Sequence, residues 1–219
     1  MNLVAAILAG GKSSRMGTDK AMIRLEPDGP TLIELVLDRV GAVADQSIII
    51  ANDRPRYRSF GVSVASDHYA DAAALGGIAT ALELASGDPC LVVPCDLPFL
   101  SIDLLSHLRS LASNADVVIP TVRGESRQGS GVIYQTLHAI YGSDCLPSIR
   151  AQLASGQRQI VRFFDQVRVS AVPEQVARGF DPELWTFFNV NTPEALSRAR
   201  SWAKKGREDT TPDISSGML

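Results

Sequence analysis

The feature that most constrains the fold is an apolar run that ends in a glycine-rich, basic loop. Residues Leu3–Leu8 read LVAAIL, which has the length and continuous hydrophobicity of a strand buried on both faces of a parallel sheet. The loop Leu8–Lys20 follows at once and reads LAGGKSSRMGTDK. The loop is therefore predicted to lie at the carboxyl end of a strand, where open α/β sheets bind their ligands.

The residue types in this loop favour a phosphate ligand. It contains three glycines and three basic residues: Gly10, Gly11, Gly17, Lys12, Arg15 and Lys20. Glycine lets backbone N–H groups approach a ligand closely, and nearby cations neutralise an anion. The whole chain has 21 Lys and Arg against 24 Asp and Glu, a net charge of -3. Because it has no basic excess, the chain is not predicted to bind nucleic acid, and a local polyphosphate site is favoured.

Two familiar phosphate-binding motifs do not match this loop. A P-loop requires GxxxxGK[ST], but the corresponding stretch Ala6–Ser13 reads AILAGGKS and lacks the first glycine. The GxGxxG motif of Rossmann dinucleotide-binding proteins is absent, and Asp38 falls within a predicted helix instead of at the end of a second strand. Neither motif is therefore predicted for this loop.

Short apolar runs alternate with helix-length segments along the chain, which predicts a Rossmann-like α/β fold. Its sheet would be mostly parallel and covered by helices on both faces. Strands are predicted at Leu3–Leu8, Ser47–Ala51, Gly61–Ala65, Cys90–Pro94, Asp116–Pro120 and Val167–Val172, with two short strands within Gly131–Tyr141. The first helix is predicted to begin at Thr31, with a capping box between Thr31 and Glu34, and to end at about Val43. Further helices are predicted at Gly77–Ala85, Ser101–Ser113 (Ser101 as N-cap), Pro147–Leu153 and Pro193 to about Ala203.

The rest of the chain predicts less regular structure. Val122–Gly131 is polar and contains glycine, so we expect a loop there. Residues 204–219 lack apolar periodicity and predict a flexible tail behind a single domain over 1–203. The three cysteines have no CxxC pair, which is typical of reduced thiols, and no apolar run reaches the roughly 18 residues of a membrane span. We therefore expect a cytoplasmic protein without a membrane anchor.

The loop resembles the LAGGxSxRMGxDK loop of the nucleotidyltransferases that attach a nucleotide to molybdopterin, and within them the guanylyltransferases. Three later segments support the resemblance in the expected order: VASD at 64–67 with LGGI at 75–78, PCDLPFL at 94–100, and FNVNTPE at 188–194. The chain departs from the pattern at Ala74 and Thr136, where prolines are expected. The resemblance extends over about residues 3–202.

The resemblance implies a fold of the nucleotide-diphospho-sugar transferase type, in which the part up to about residue 120 binds the nucleotide and the remainder binds the acceptor. It implies transfer of GMP from GTP to Mo-molybdopterin, with release of pyrophosphate and with Mg²⁺ as the electrophile. It also implies transient contacts with a molybdopterin-inserting protein and with apo-molybdoenzymes.

The resemblance also implies roles for individual residues. Arg15 and Lys20 would hold the phosphates, with Asp19 either orienting Lys20 or holding the loop. Asp96 would bind the metal and the nucleotide. Backbone groups of Leu8, Ala9 and Gly10 would contact the nucleotide, and Asn52 and Asp67 would contact the guanosine, through base or ribose.

Three polar residues in the second half have open roles. By the resemblance, Asn189 and Asn191 border the metal. Asn191 is alternatively predicted to cap the helix that begins at Pro193. His138 is predicted either to contact the pterin phosphate or to pack within the fold.

Other functions remain compatible with these residues. A related transferase could use CTP, although the Gly10–Gly11 pair favours guanine because cytidine enzymes tend to carry LAAG at this turn. A sugar-phosphate or alcohol-phosphate nucleotidyltransferase is a further alternative. The sugar-phosphate enzymes fit less well, because their loop is longer between the arginine and the lysine. A nucleotide-binding regulator without turnover would not need both Lys20 and Asp96.

Overall fold

The computed structural model describes residues 1–9, 19–69, 71–126 and 129–208. The strands are β1 (Val4–Leu8), β2 (Gln46–Ile50), β3 (Ser63–Ala65), β4 (Cys90–Pro94), β5 (Val117–Ser126), β6 (Gly129–Tyr134), β7 (Ala139–Tyr141) and β8 (Val169–Val172). The helices are α1 (Leu32–Gly41), α2 (Arg54–Tyr57), α3 (Ala73–Leu84), α4 (Ile102–Leu111), α5 (Leu146–Ala154), α6 (Glu174–Phe180) and α7 (Pro193–Glu208).

Two helix starts follow directly from local sequence. The Thr31 hydroxyl accepts a hydrogen bond from the Glu34 N–H, and the Glu34 carboxylate accepts one from the Thr31 N–H over 2.7 Å. This reciprocal capping box begins α1 as the sequence predicts. The Ser101 hydroxyl likewise accepts from the Leu104 N–H and begins α4.

The strands form one sheet in the order β3-β2-β1-β4-β7-β5-β6, with β8 paired to β5. Strands β3, β2, β1 and β4 are parallel, which confirms the prediction for the first half of the chain. Strand β7 then runs antiparallel to both β4 and β5. The sheet is therefore mixed, and its parallel half carries the carboxyl ends of the first four strands along one edge.

Helices cover both faces of the sheet. Strand β1 alternates between the two core layers, with Ala5 and Ile7 in one, beside Leu3 just before the strand, and Val4 and Ala6 in the other. Helices α1 and α4 pack on the first layer, and α3 and α5 pack on the second. A strand that is buried on both faces needs a continuous apolar run, which is why LVAAIL is a reliable strand signal.

The loop predicted over Val122–Gly131 is wrong. The described residues of this stretch form the arms of a β5–β6 hairpin, paired from Thr121 with Tyr134 to Ser126 with Gly129. Val132 on β6 is 64% exposed and Ile133 beside it is only partly buried, so the described part of the hairpin shows no strong alternation of buried apolar and exposed polar residues. Its polar, glycine-containing sequence therefore looks like a loop.

The predicted end of the last helix is also wrong. Helix α7 continues past Ala203 to Glu208, so residues 204–208 belong to a helix instead of a flexible tail. Lys, Arg and Glu are good helix formers, and they extend a helix after its apolar face has ended. Residues 209–219 lie outside the described part of the chain. No helix within the described ranges is long and apolar enough to cross a membrane.

Candidate active site

Backbone hydrogen bonds bring the ends of the parallel strands together. The Cys95 N–H donates to the Leu8 carbonyl over 3.2 Å, and the Ala9 N–H donates to the Ile50 carbonyl over 2.9 Å. The segments that follow β1, β2 and β4 therefore lie side by side. Since the Ala9 N–H is already engaged, a ligand at this position can meet the Ala9 carbonyl but not its N–H. Gly10 and Arg15, both predicted contacts, lie outside the described residues.

Three predicted residues meet at this edge of the sheet. The Lys20 ammonium donates a hydrogen bond to Asn191 Oδ1 over 2.5 Å and lies 3.9 Å from Asp96 Oδ2. The Val190 N–H donates to the Asp96 carbonyl over 3.0 Å, which ties the segment before α7 to the loop after β4. A cation, a carboxylate and an amide from distant parts of the sequence thus form one cluster.

Asp96 has the features of a cation ligand. Its side chain is 14% exposed, and its Oδ1 is buried without a hydrogen-bond partner among the described residues. Burial raises the pKa of this carboxyl, and Lys20 opposes the shift. A buried carboxylate oxygen without a donor is unfavourable, and a bound cation relieves this. Mg²⁺ keeps several waters and needs only one or two carboxylates beside substrate phosphates, so this donor set fits it.

The structure separates the two roles predicted for Asn191. The Thr192 hydroxyl accepts a hydrogen bond from the Ala195 N–H over 3.1 Å, so Thr192 caps α7 and Asn191 does not. Asn191 is left to accept from Lys20. Asn189 is exposed two residues earlier in the same segment.

Asp19 holds the end of the glycine loop. Its carboxylate accepts hydrogen bonds from Arg56 over 2.9 Å, from the Tyr57 hydroxyl over 2.8 Å and from the Ala21 N–H over 3.1 Å. The Tyr57 hydroxyl is also 3.2 Å from the Ala9 carbonyl oxygen, and burial together with Asp19 raises the Tyr57 pKa. Arg56 and Tyr57 were not predicted as site residues. The DRPRY stretch directly after Asn52 is the only sequence signal for them.

The two residues predicted to contact guanosine lie next to each other. The Asp67 N–H donates to Asn52 Oδ1 over 3.4 Å, which joins the segments after β2 and β3. Asp67 Oδ1 accepts from the Tyr69 N–H and from the Thr80 hydroxyl, each over 2.9 Å. The structure therefore brings Asn52 and Asp67 together, and their contact with guanosine stays a prediction. The support of Asp67 by α3 was not predicted.

The glycine pair of the LGGI segment allows close packing around this site. A Cβ at Gly77 would lie 2.9 Å from Leu8 Cδ1, and one at Gly76 would lie 2.9 Å from the Tyr69 carbonyl. Real Cβ atoms do not make such contacts, so Gly76, which faces a backbone carbonyl, needs glycine, whereas a side chain at Gly77 would require the Leu8 side chain to move. The pair lets α3 approach the end of β1 and the turn after β3.

His138 packs within the fold. It is 1% exposed, and its ring lies edge-on to Phe187 with 4.9 Å between centroids. Burial lowers its pKa to about 3, against a weaker opposing effect of the Thr186 backbone. A neutral, enclosed imidazole supports the packing role and not contact with a phosphate.

The chain is similar in sequence and in fold to known nucleotidyltransferases. The chain matches the family model described as the MobA-like NTP transferase domain over residues 5–172. It is 33% identical over 202 residues to the molybdenum cofactor guanylyltransferase of Desulfosudis oleivorans, covering 92% of this chain and 96% of the relative. It is 31% identical over 210 residues to a probable molybdenum cofactor guanylyltransferase of Natranaerobius thermophilus, covering 93% and 98%.

Solved structures agree. The molybdopterin-guanine dinucleotide biosynthesis protein A of Archaeoglobus fulgidus superposes with a TM-score of 0.75 at 26% identity, covering 92% of this chain and 99% of that chain. A CMP:2-keto-3-deoxy-manno-octonic acid synthetase shares only the fold, with a TM-score of 0.69 at 13% identity. The chain is therefore a nucleotidyltransferase. It belongs to the family of MobA-like NTP transferases.

Proposed function

We propose that this chain transfers GMP from GTP to Mo-molybdopterin, forming molybdopterin guanine dinucleotide and pyrophosphate. The observation that carries the proposal is the cluster of Lys20, Asp96 and Asn191 at the carboxyl edge of the parallel strands. The names of the two curated relatives and of the solved structure support the same donor and acceptor.

The two halves of the chain bind different substrates. The part up to about residue 120 binds the nucleotide, because it supplies β1–β4 and the loops that follow them. The remainder binds the acceptor. Its segment Asn189–Asn191 contacts the cluster, because Asn191 accepts a hydrogen bond from Lys20 and the Val190 N–H donates to the Asp96 carbonyl. The acceptor phosphate and the α-phosphate of GTP would then meet where the two halves touch.

Position and charge neutralisation account for most of the catalysis. The acceptor phosphate is already an anion, so its attack on the α-phosphorus needs little help from a general base. Lys20, aided by Arg15, neutralises the departing pyrophosphate, and Asn191 orients the Lys20 ammonium. A Mg²⁺ ion held by Asp96 Oδ1, with Asn189 and Asn191 beside it, would supply Lewis-acid stabilisation of the triphosphate. Asp19 keeps Lys20 in place through its hold on the loop.

Strand order favours the base over the ribose as the group that Asp67 contacts. Asp67 follows β3 and Asp96 follows β4, and these strands lie three positions apart in the sheet. Three strand spacings are about 14 Å. The ribose is attached directly to the α-phosphate, whereas the outer edge of the purine is the part of the nucleoside furthest from it. With the α-phosphate at Asp96, Asp67 therefore faces the base.

We further place this reaction in the cytoplasm, where all three free thiols stay reduced. The product would pass through transient contacts to a molybdopterin-inserting protein and to apo-molybdoenzymes.

Labelled GTP tests the proposal. With Mo-molybdopterin and Mg²⁺, label at the α-phosphate should enter the pterin dinucleotide, and label at the γ-phosphate should leave in pyrophosphate. Label from the α-phosphate that appears only in free GMP would mean hydrolysis, and would overturn the proposal.

A further inference from the structure

The turn that follows β3 is fixed to α3 by a buried hydroxyl. Thr80 lies in the middle of α3 and is fully buried. Its hydroxyl donates a hydrogen bond to Asp67 Oδ1 over 2.9 Å and accepts one from the His68 N–H over 3.0 Å. One side chain therefore holds both the carboxylate and the backbone of the turn Asp67–Tyr69.

These contacts leave one oxygen of Asp67 for a ligand. Oδ1 accepts two hydrogen bonds, from Thr80 and from the Tyr69 N–H, and a carboxylate oxygen has two lone-pair sites. Among the described residues no hydrogen bond reaches Oδ2. Asp67 therefore cannot present both oxygens to a guanine edge, as its sequence position alone would allow. It presents Oδ2, in an orientation that Thr80 determines.

The Glu83 carboxylate, also on α3, holds the side chains of the same turn. The Tyr69 hydroxyl donates to Glu83 Oε1 over 2.5 Å, and His68 Nδ1 lies 2.7 Å from Glu83 Oε2. Arg150 on α5 binds Glu83 Oε1 over 2.7 Å. These contacts anchor the two residues after Asp67. Loss of the Thr80 hydroxyl would therefore leave Asp67 Oδ1 with the Tyr69 N–H as its one remaining donor among the described residues, and the carboxylate could rotate while the turn stays in place.

We propose that Thr80 is a positioning residue for base selection: its hydroxyl aims Asp67 Oδ2 at the N–H groups of guanine. This inference rests on the proposed function, since it concerns the nucleotide end of the same site. A carboxylate held in one orientation favours a base that offers N–H donors at that place, and a mobile carboxylate favours none.

The test compares Thr80→Val with Thr80→Ser in the full chain. Valine keeps the shape of threonine without the hydroxyl, and serine keeps the hydroxyl. Equilibrium binding of GTP and of ATP is measured without acceptor, followed by turnover with Mo-molybdopterin. Thr80→Val should lower the preference for GTP over ATP about ten-fold, the equivalent of one hydrogen bond to a charged group. It should raise the KM for GTP and leave kcat within about two-fold, and Thr80→Ser should restore the preference.

A matched control separates selection from general stability. Thr121→Val also removes a buried threonine hydroxyl, one that donates to the Val172 carbonyl far along the chain. It should lower the melting temperature without changing the GTP to ATP ratio. Thr80→Ala serves as a second variant if Thr80→Val does not fold.

The outcomes distinguish this inference from the proposed function. If the wild-type chain binds GTP selectively and Thr80→Val retains that selectivity, the role of Thr80 is wrong while the proposed function stands. Equal losses for GTP and ATP would also overturn the role, because a structural defect acts on both nucleotides. A wild-type chain without any preference for GTP would overturn the proposed function, and this inference with it.

Discussion

Lys20 donates a hydrogen bond to Asn191 Oδ1 over 2.5 Å, although the two residues are 171 positions apart in the chain. Lys20 ends the loop after the first strand, and Asn191 precedes the last helix. Under the proposed function, this contact joins the half of the chain that would bind the nucleotide to the half that would bind the acceptor.

Replacing Asn191 with alanine should reduce turnover more than nucleotide binding. The Lys20 ammonium loses its orienting acceptor, and a hydrogen bond to a charged group contributes about 1.5–3 kcal/mol, so kcat should fall at least ten-fold. Steady-state kinetics on the variant test this. Asn114→Ala, at an exposed position after α4, is the control and should behave as wild type. An Asn191→Ala enzyme with unchanged kcat would contradict the role of Asn191.

Asp96→Asn should remove most transfer while leaving part of the GTP binding. The amide keeps the size of the carboxylate but supplies one neutral oxygen to a cation. Isothermal titration with GTP and a transfer assay on the same preparation separate the two effects. A variant with the wild-type rate would exclude Asp96 as the metal ligand.

The same substitution should raise thermal stability near neutral pH. Burial raises the pKa of Asp96, so the folded state binds this proton more tightly than the unfolded state. The stability that the protonated group contributes is present at low pH and is lost as the pH rises through the raised pKa. The Asp96→Asn variant should therefore melt above wild type at pH 8, with a difference that shrinks toward pH 4. An equal difference at both values would contradict the shift.

Ala73→Gly should stabilise the fold. Ala73 begins α3 with φ of 52°, in the left-handed region that favours glycine, and its side chain is exposed. Relief of this strain contributes about 1 kcal/mol, or about 2–4 °C in melting temperature for a domain of this size. Ala74→Gly, at the next residue of α3, should have the opposite sign, because glycine has a lower helix propensity than alanine. Destabilisation by both substitutions would contradict the strained backbone.

Glu83→Gln should destabilise the chain at neutral pH but not in acid. Burial alone would raise the pKa of Glu83, but hydrogen bonds from Tyr69, His68 and Arg150 together lower it to about 2. A lowered pKa contributes stability that is present above the ordinary value and lost as the pH falls through the folded-state value. Denaturant unfolding should show wild type more stable by on the order of 2 kcal/mol at pH 7, with the difference vanishing between pH 4.5 and about 2. A constant difference down to pH 2 would contradict this account.

Elements whose cause is local were predictable from the sequence. The buried strands β1 and β4 appear as unbroken apolar runs, and Thr31 with Glu34 identifies the start of α1. The β5–β6 hairpin was missed because its sequence is polar and glycine-containing and its Val132 side chain is exposed. The end of α7 was missed because its last turn has no apolar pattern.

The hydrogen bonds of the candidate site were not predictable from the sequence. The resemblance names Lys20, Asp96 and Asp67 as site residues, and those roles stay predictions, but their hydrogen bonds depend on residues brought together by the fold. Thr80 is an example: in the sequence it is one threonine in an apolar helix, and only the turn after β3 makes it a partner of Asp67. The sequence indicates Asn191 as a possible helix cap, but the hydrogen bond from the Ala195 N–H shows that Thr192 caps α7, and Asn191 accepts from Lys20 instead.

The most direct test of the account is pyrophosphate release with Mo-molybdopterin and Mg²⁺, with GTP, CTP, ATP and UTP supplied one at a time and Asp96→Asn as the negative control. The account predicts release with GTP, at least ten-fold less with each other nucleotide, and almost none in the variant. Release with CTP in preference to GTP would contradict the assignment of the base, and no release with any nucleotide would contradict the assignment of the acceptor.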